Sequence, residues 1–416
     1  MNRLSIPAVI SPFTFSSVAV FLFGALCLIA PSGYSWGSAL LALGGLFILF
    51  RKHQWPEFTR DDVKIMLAIG LFATLWLLEV ALESQGWSRA ERPLKFYAAI
   101  IATFFLFKYP PKIEYFWAGI ATGAIGAGVW AAWQGLFEGI SRARGFTHLI
   151  QYGNISLLLG VLSLAGLGWA LQRENNKHRW VALLIFGFIF GLLGSAFTGA
   201  RGGWVALPFV AVVLYIVYRD FLNKKLLFTS IGLLLIFITA IYLIPATGVQ
   251  KRVNIAVTEL NNFYEKDVRT SSVGIRLEMW RASFLLIPEK PIFGWGRKGY
   301  EAERDRMIEE KIVHKNIGRF TSVHNEFIDT TLKRGFIGLI SLLMMYLLPV
   351  FLFKKGIRAT DAATRSLAAA GILLPVCFMS FGLTQVFFSH NSGVMVYSFM
   401  LVIIWTIFSR LETEHD

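Results

Sequence analysis

Apolar runs recur along nearly the whole of this 416-residue chain, and they limit the folds open to it. A helix of roughly 17 to 25 apolar residues can cross a bilayer, because it satisfies its own backbone hydrogen bonds inside the hydrocarbon. Hydrophobic residues make up 55% of the sequence and the mean hydropathy is +0.58, far above the usual range of soluble domains. We therefore predict an integral membrane protein whose fold is the membrane-embedded part itself.

The breaks between these runs predict an all-α polytopic membrane protein with about twelve transmembrane helices. The predicted helix centres lie near residues 22, 43, 73, 100, 126, 160, 188, 210, 234, 345, 376 and 400. Helices one to nine then occupy residues 1–245, a large extramembrane loop that contains helices occupies 246–323, and helices ten to twelve occupy 324–416. No charge separates the first two apolar runs, which favours a retained first span over a cleaved signal peptide.

The distribution of basic residues predicts the orientation of the chain. If the N-terminus is cytoplasmic, the segments on the inner side carry fifteen Lys or Arg and the short segments on the outer side carry five. This is the bias of the positive-inside rule, so we expect both termini in the cytoplasm and the large loop outside. The same bias explains the formal net charge of +14, and we expect no nucleic-acid partner.

Several polar residues collect in segments on the predicted outer face. Arg201 stands among glycines in FTGARGGW, where an anion could reach both its guanidinium and the backbone amides, or where the arginine could simply extend to lipid headgroups. Arg276 in GIRLEMW could bind a phosphate or pair with an acidic neighbour. His324 could equally be a residue at a helix start, with Asn325 or Ser322 as the N-cap.

Other patterns in the sequence narrow the function. The span centres are almost free of charged residues, which weakens the case for an ion-coupled transporter. Cys27 and Cys377 lie inside apolar runs, and the outer loop has neither an Asp-x-Asp nor a His-Glu-x-x-His pattern, so we expect no metal and no other cofactor. Gly119 and Gly123, four residues apart in one span, predict close packing against another helix.

Taken as an ordered set, four stretches resemble motifs of the O-antigen ligase and polymerase superfamily. GIRLEMWRASFLLIPEKPIFGWGRKGY is similar to its Gly-Arg, Trp, Pro and Gly-x-Gly segment, and HNEFIDTTLKRGFIGLI is similar to its His-Asn segment leading into Gly-x-x-Gly. RARGFTHLIQYGN and GARGGW resemble two earlier outer motifs. The chain departs from the family pattern at Lys333 or Arg334, where an acidic residue is frequent, and at HLIQYGN, where a Pro-Asn pair is frequent.

The resemblance implies a glycosyltransferase-C-like fold and a metal-independent, inverting transfer from a lipid diphosphate. Arg201 and Arg276 would bind the diphosphate, and His324 would act as base or as positioning residue. Nearby arginines would favour the neutral form of His324, because like charge disfavours the imidazolium. The remaining expected substrate-binding residues are Arg144, Gln151, Arg297 and Asn325.

Among the members of this superfamily, the chain's length and single modest loop most resemble the O-antigen ligases. Such a ligase moves a glycan from undecaprenyl diphosphate to a sugar of the lipid A-core. The resemblance therefore implies the bacterial inner membrane, a periplasmic loop and a periplasmic active site. A polysaccharide polymerase, a protein O-glycosyltransferase and, as a different class, a membrane exporter stay open as alternatives, as do the donor glycan, the acceptor hydroxyl and the oligomeric state.

Overall fold

A computed structural model of the protein describes residues 11–219, 239, 249–266 and 268–415. At several positions in these ranges, Arg201 among them, it describes the backbone but not the side chain. The described residues form α-helices and short 3-10 helices, and no strand occurs among them. The prediction of an all-α protein is confirmed for this part of the chain.

We number the α-helices in chain order. They are α1 (Pro12–Leu26), α2 (Trp36–Leu49), α3 (Arg60–Leu82), α4 (Trp87–Lys108), α5 (Ile113–Leu136), α6 (Leu149–Ala165), α7 (Leu167–Leu171), α8 (Lys177–Thr198), α9 (Ala206–Tyr218), α10 (Val249–Lys266), α11 (Ser272–Leu286), α12 (Gly296–Glu309), α13 (Glu326–Phe353), α14 (Ala362–Gly382) and α15 (Asn391–His415).

Within the described part of the chain, seven segments are both long enough and apolar enough to cross a membrane. They are Arg60–Leu82, Ile113–Leu136, Leu149–Leu171, Lys177–Thr198, Glu326–Arg358, Ala362–Gly382 and Asn391–Thr413. The protein is therefore a multi-pass helical membrane protein. Helices lie at eleven of the twelve predicted centres, and the centre near residue 234 falls outside the described residues. The count of twelve spans, the domain limits at residues 245 and 323 and the side of each loop stay predictions.

The two last long helices lie deepest in the bundle. Within their apolar spans, 83% of α14 and 89% of α15 is buried inside the protein. Small residues allow close packing elsewhere, as predicted for Gly119 and Gly123. A Cβ at Gly123 would lie 2.1 Å from the carbonyl oxygen of Gly24, and one at Gly119 would lie 2.7 Å from that of Phe21, so α5 packs directly on the backbone of α1.

Helix α13 is broken at Gly335, and this break accommodates the segment that precedes α12. Gly335 has φ 64° and ψ −169°, a backbone region essentially restricted to glycine. Across the break, Phe336 N–H donates to the Pro291 carbonyl at 2.7 Å, and Trp295 N–H donates to the Leu332 carbonyl at 2.9 Å. The FGWG and KRGF stretches singled out in the sequence therefore contact each other in the fold.

Helices α11 and α12 form a cap over the start of α13. The cap has its own apolar core, which includes Met279, Tyr300, Ile317, Val323 and Leu332. The Glu83 carboxylate at the end of α3 accepts the backbone N–H groups of residues 297, 298 and 299, the first turn of α12. The bundle thus holds the cap at a helix N-terminus, where a carboxylate is favoured.

Candidate active site at the start of helix α13

His324 lies in an unusual backbone conformation immediately before α13. Its φ of 54° is left-handed, which costs energy for a residue with a side chain and persists only where the surroundings enforce it. The next residue, Asn325, is the N-cap: its side-chain oxygen accepts the N–H groups of Phe327 and Ile328 at 3.0 Å. The expectation that Asn325 could cap this helix is confirmed.

The segment from Thr321 to Asn325 is fastened from two sides. On one side, the Trp280 indole of α11 donates to the Val323 carbonyl at 2.9 Å. On the other, Asp329 of α13 accepts the Val323 N–H at 3.1 Å and forms a buried ion pair with Lys333 at 2.8 Å. Lys333 also donates to the Thr321 carbonyl at 2.8 Å. Lys333, one of the two positions at which the sequence could depart from the family pattern, therefore serves to hold the histidine segment.

The His324 ring faces the loop that joins α14 to α15, residues 383–390. Its Nδ1 lies 2.6 Å from Oε1 of Gln385, a buried side chain that is 4% exposed. The amide nitrogen of Gln385 lies 3.4 Å from Nε2 of His390. The His390 ring in turn stacks on His148, with ring centroids 5.0 Å apart. Gln385 thus links His324 to the stacked pair formed by His390 and His148.

The electrostatic environment keeps these histidines neutral. Burial lowers the pKa of His324, and the positive charge of Arg276 lowers it further, while Gln385 and Asp329 act in the opposite direction. Burial and neighbouring positive charge lower the pKa of His390 to about 4. The predicted direction for His324 is confirmed, although burial contributes more than the arginine does.

Arg276 is placed to bind an anion. It lies half-buried near the start of α11, and burial lowers the pKa of its guanidinium, with Glu259 opposing that shift. It forms no hydrogen bond or ion pair with another described side chain, although its charge acts on His324. A desolvated arginine without a bonded partner favours an anionic ligand.

Arg201 begins a short 3-10 segment, Arg201–Val205, and its side chain lies outside the described residues. The glycines after it have a different role from the one expected. A Cβ at Gly202 would lie 2.2 Å from the Thr384 hydroxyl, and one at Gly203 would lie 2.4 Å from Oδ1 of Asn154. These glycines let the turn pack on the 383–390 loop and on α6, so their faces are occupied by protein rather than open to a ligand.

Two of the other predicted residues bond to the backbone of the 383–390 loop. Gln151 is buried in the first turn of α6, donates to the Phe387 carbonyl at 3.3 Å and accepts from the Ser392 hydroxyl at 3.3 Å. The Asn325 amide donates to the Leu383 carbonyl at 3.3 Å. Both side chains therefore fix the loop that presents Gln385 to His324.

The remaining two predicted residues lie apart from this network. Arg297 begins α12 and pairs through Nε with Glu301 at 2.8 Å. Arg144 is exposed, and its backbone N–H donates to Gln134 at 3.1 Å. Among the contacts between described residues, none joins Arg144 or Arg297 to His324. The structure thus brings His324, Arg276, Asn325 and Gln151 together and leaves these two arginines at a distance.

Sequence reasoning missed His148, His390, Gln385 and Arg92. Arg92, in the first turns of α4, has a buried Nε without a hydrogen-bond partner among the described residues, and its charge acts on His390 and on Arg297. A signal existed for three of them, because Arg92, His148 and His390 belong to the short segments predicted on the outer side, ESQGWSRAER, EGISRARGFTH and FSHNS. No local pattern could show that they converge, since they come from three separate parts of the chain.

The comparisons with known proteins bear on this site directly. A family model described as O-Antigen ligase matches residues 186–343, the part that contains Arg201, Arg276, His324 and the break at Gly335. A Haemophilus influenzae protein described as uncharacterized is 30% identical over 394 residues, which cover 93% of this chain and 97% of that protein. The chain belongs to the O-antigen ligase family.

The resemblance drawn from the sequence motifs is therefore confirmed. This member of the O-antigen ligase family is also 24% identical over 261 residues to a protein of Escherichia coli K12 named O-antigen ligase. That alignment covers 62% of this chain and 58% of the E. coli protein. Family membership identifies the chain as glycosyltransferase-like and implies, at a coarse level, a lipid-linked glycan donor and a lipid A-core acceptor.

Proposed function

We propose that this protein is an O-antigen ligase, which transfers a glycan from undecaprenyl diphosphate to a sugar of the lipid A-core. The reaction would take place at the periplasmic face of the bacterial inner membrane, on the end of the bundle that carries the cap. One observation carries the proposal: His324, whose pKa is lowered by burial, lies close enough to Arg276 for the arginine's charge to lower that pKa further, and Arg276 has no hydrogen-bond partner among the described residues. This pairing matches a reaction that needs both a base and a site for a leaving diphosphate.

In the proposed step, His324 accepts the proton of the acceptor hydroxyl as the oxygen attacks the anomeric carbon of the glycan. The bond between that carbon and the phosphate oxygen breaks, and the lipid diphosphate leaves with the electron pair. A single displacement of this kind inverts the anomeric configuration. A positioned base typically contributes about 10² to 10⁴ in rate.

Arg276 and Arg201 bind the diphosphate in this mechanism. Each guanidinium offers several fixed donors to phosphate oxygens, and such bonds are stronger in a site that excludes water. Arg144 and Arg297 serve as secondary contacts of the donor at the rim. Gln151 and Asn325 are assigned to substrate binding through the 383–390 loop, because both bond to its backbone.

The step needs no metal ion, since the arginines neutralise the charge of the leaving diphosphate. Transfer should therefore persist in excess EDTA. Loss of activity in EDTA that Mg²⁺ or Mn²⁺ restores would show that the arginine-only mechanism is wrong. Retention of the anomeric configuration in the product would rule out the single displacement.

The function is tested by reconstitution in liposomes that contain only purified protein, undecaprenyl-diphosphate-linked glycan and lipid A-core. Transfer should occur, and its rate should rise with pH through an ionisation below the ordinary histidine value of about 6.5, because the neutral imidazole is the active form. His324→Gln should abolish that ionisation and most of the rate. His178→Gln, at an exposed position in the first turn of α8, is the matched control.

The products separate the alternatives. Extension of one donor glycan by another, without label on lipid A-core, would identify a polymerase. Absence of any transfer in the complete system, combined with movement of the donor across the bilayer, would favour an exporter.

A further inference from the structure

The Gln385 side chain is buried, and the proposed mechanism gives it no role. It is 4% exposed and lies between two imidazoles, bonded to His324 Nδ1 at 2.6 Å and within 3.4 Å of His390 Nε2. The 383–390 loop that carries it is held on both sides of Gln385, since Asn325 donates to the Leu383 carbonyl and Gln151 donates to the Phe387 carbonyl. A third anchor is Glu326, whose carboxylate accepts the Phe388 N–H at 3.0 Å.

We propose that Gln385 is a positioning residue that fixes the tautomer of His324. A neutral imidazole carries one N–H and one lone pair, and the hydrogen bond made by one nitrogen decides the role of the other. Gln385 Oε1 can only accept a hydrogen bond, so the proton of His324 resides on Nδ1. The lone pair is then on Nε2, the nitrogen that remains available to an acceptor hydroxyl.

The second contact of Gln385 fixes its own orientation. Its amide NH₂ can only donate, and it faces Nε2 of His390. Because the pKa of His390 is lowered to about 4, that ring is neutral in ordinary buffers and can offer a lone pair to the amide. Stacking of His390 on His148 keeps the ring in place. The histidine pair thus holds the glutamine, and the glutamine holds His324.

This inference rests on the proposed function for the identity of the step. As the acceptor oxygen bonds to the anomeric carbon, its proton moves to Nε2 of His324 and the diphosphate leaves with the electrons of the broken bond. The imidazolium keeps its other proton on Nδ1, hydrogen-bonded to Gln385, throughout the step. When Nε2 returns its proton to solvent, the ring is already in the tautomer required for the next turnover.

The first test determines the tautomer of His324 from nitrogen chemical shifts and does not depend on transfer activity. The protein has seven histidines, so ¹⁵N-histidine labelling with His324→Gln as the assignment variant identifies the His324 signals. At a pH above the histidine ionisation, Nδ1 should show the shift of a protonated nitrogen and Nε2 that of an unprotonated one. Gln385→Leu should average the two shifts, because the tautomers then exchange. A protonated Nε2 in the unmodified protein would overturn the proposal.

The second test measures transfer in the reconstituted system. Gln385→Leu should lower kcat at least about tenfold and leave KM for the acceptor nearly unchanged, because misalignment of a reacting group reduces the chemical step. Gln385→Glu keeps the accepting oxygen, should retain more activity than Gln385→Leu, and should move the ionisation of His324 to higher pH. The matched control is Gln172→Glu, at an exposed position after α7.

The other charges around His324 stay in place in these variants. The charged groups are Arg276 on α11 and Asp329 on α13, and the other titratable groups are the neutral His148 before α6 and His390 before α15. A shift of the pH profile in Gln385→Glu is therefore assigned to the new carboxylate. Equal kcat and equal pH profiles in Gln385→Leu and the unmodified protein would overturn the positioning role.

The two proposals can fail separately. If His324→Gln retains full transfer while Gln385→Leu still alters the ¹⁵N shifts, the base is wrong and the tautomer assignment stands. If His324→Gln abolishes transfer while Gln385→Leu changes neither the shifts nor the rate, the base stands and the positioning role is wrong. Thermal unfolding of each variant identifies a change caused by loss of the fold.

Discussion

Substitution of Lys333 by methionine should strongly destabilise the protein, because it removes one partner of a buried ion pair within α13. Lys333 is 6% exposed and its partner Asp329 is 3% exposed, with both carboxylate oxygens 2.8 Å from the ammonium. Methionine matches the length of the lysine stem but leaves the Asp329 carboxylate buried, where the Val323 N–H is then its only hydrogen-bond donor among the described residues. A buried charge without its partner costs about 3 to 5 kcal/mol.

A double-mutant cycle separates the cost of the unpaired Asp329 charge from the loss of packing at Lys333. Asp329→Asn keeps an amide oxygen for the Val323 N–H, so Asp329→Asn/Lys333→Met removes both charges and retains that bond. Because replacement of a whole buried pair is often nearly neutral, the double variant should lose only about 1 kcal/mol. The coupling between the two positions should then reach about 2 kcal/mol or more.

The free energy of unfolding is measured by titration with SDS in mixed micelles. Lys64→Met is the control, because Lys64 pairs with Asp61 at 2.7 Å with 53% of its side chain exposed, and such pairs contribute about 1 kcal/mol or less. Equal losses in Lys333→Met and Lys64→Met would refute the reasoning. So would a double variant whose loss equals the sum of the two single losses.

The remaining predictions concern the junction between the cap and the bundle. Gly335→Ala should lower the free energy of unfolding by more than the roughly 1 to 3 kcal/mol of backbone strain, because the added Cβ would lie 2.0 Å from the Ile292 carbonyl oxygen. Gly139→Ala is the control for strain alone, because Gly139 has φ 66° and open space around it. Equal SDS unfolding curves for the two variants would contradict this account. Glu83→Gln should weaken the first turn of α12 by about 1 kcal/mol, seen as faster amide hydrogen exchange at residues 297–299. Unchanged exchange, as expected for the control Glu57→Gln, would show that the Glu83 charge is dispensable.

Much of the fold could be predicted because the relevant signals are local. A run of apolar residues specifies a membrane helix without reference to its neighbours, since the bilayer supplies the environment. The spacing of Gly119 and Gly123 predicted a close helix contact, and α5 does pack on the backbone of α1. The N-cap role of Asn325 follows from its side chain and from the start of the apolar run after it.

The candidate site was predicted only in part. His324 and Arg276 were named from motifs, and the fold places them close enough for the charge of Arg276 to lower the pKa of His324. From the sequence, the glycines beside Arg201 could admit a ligand or could surround an arginine that extends to lipid headgroups, and in the fold Gly202 and Gly203 make room for Thr384 and Asn154. The sequence shows that a side chain is missing, but it does not show which group occupies the space.

The sequence by itself determined that this is a multi-pass helical protein of the O-antigen ligase family, and it identified the histidine and arginines for the proposed transfer. Only the tertiary structure joined Gln385 to His324, His390 to His148, and the FGWG segment to the break at Gly335. Those partners are distant along the chain, and each pairing depends on how helices pack and where a loop is anchored. A sequence pattern repeats over a few residues, so it can place a side chain on a helix but cannot choose its partner.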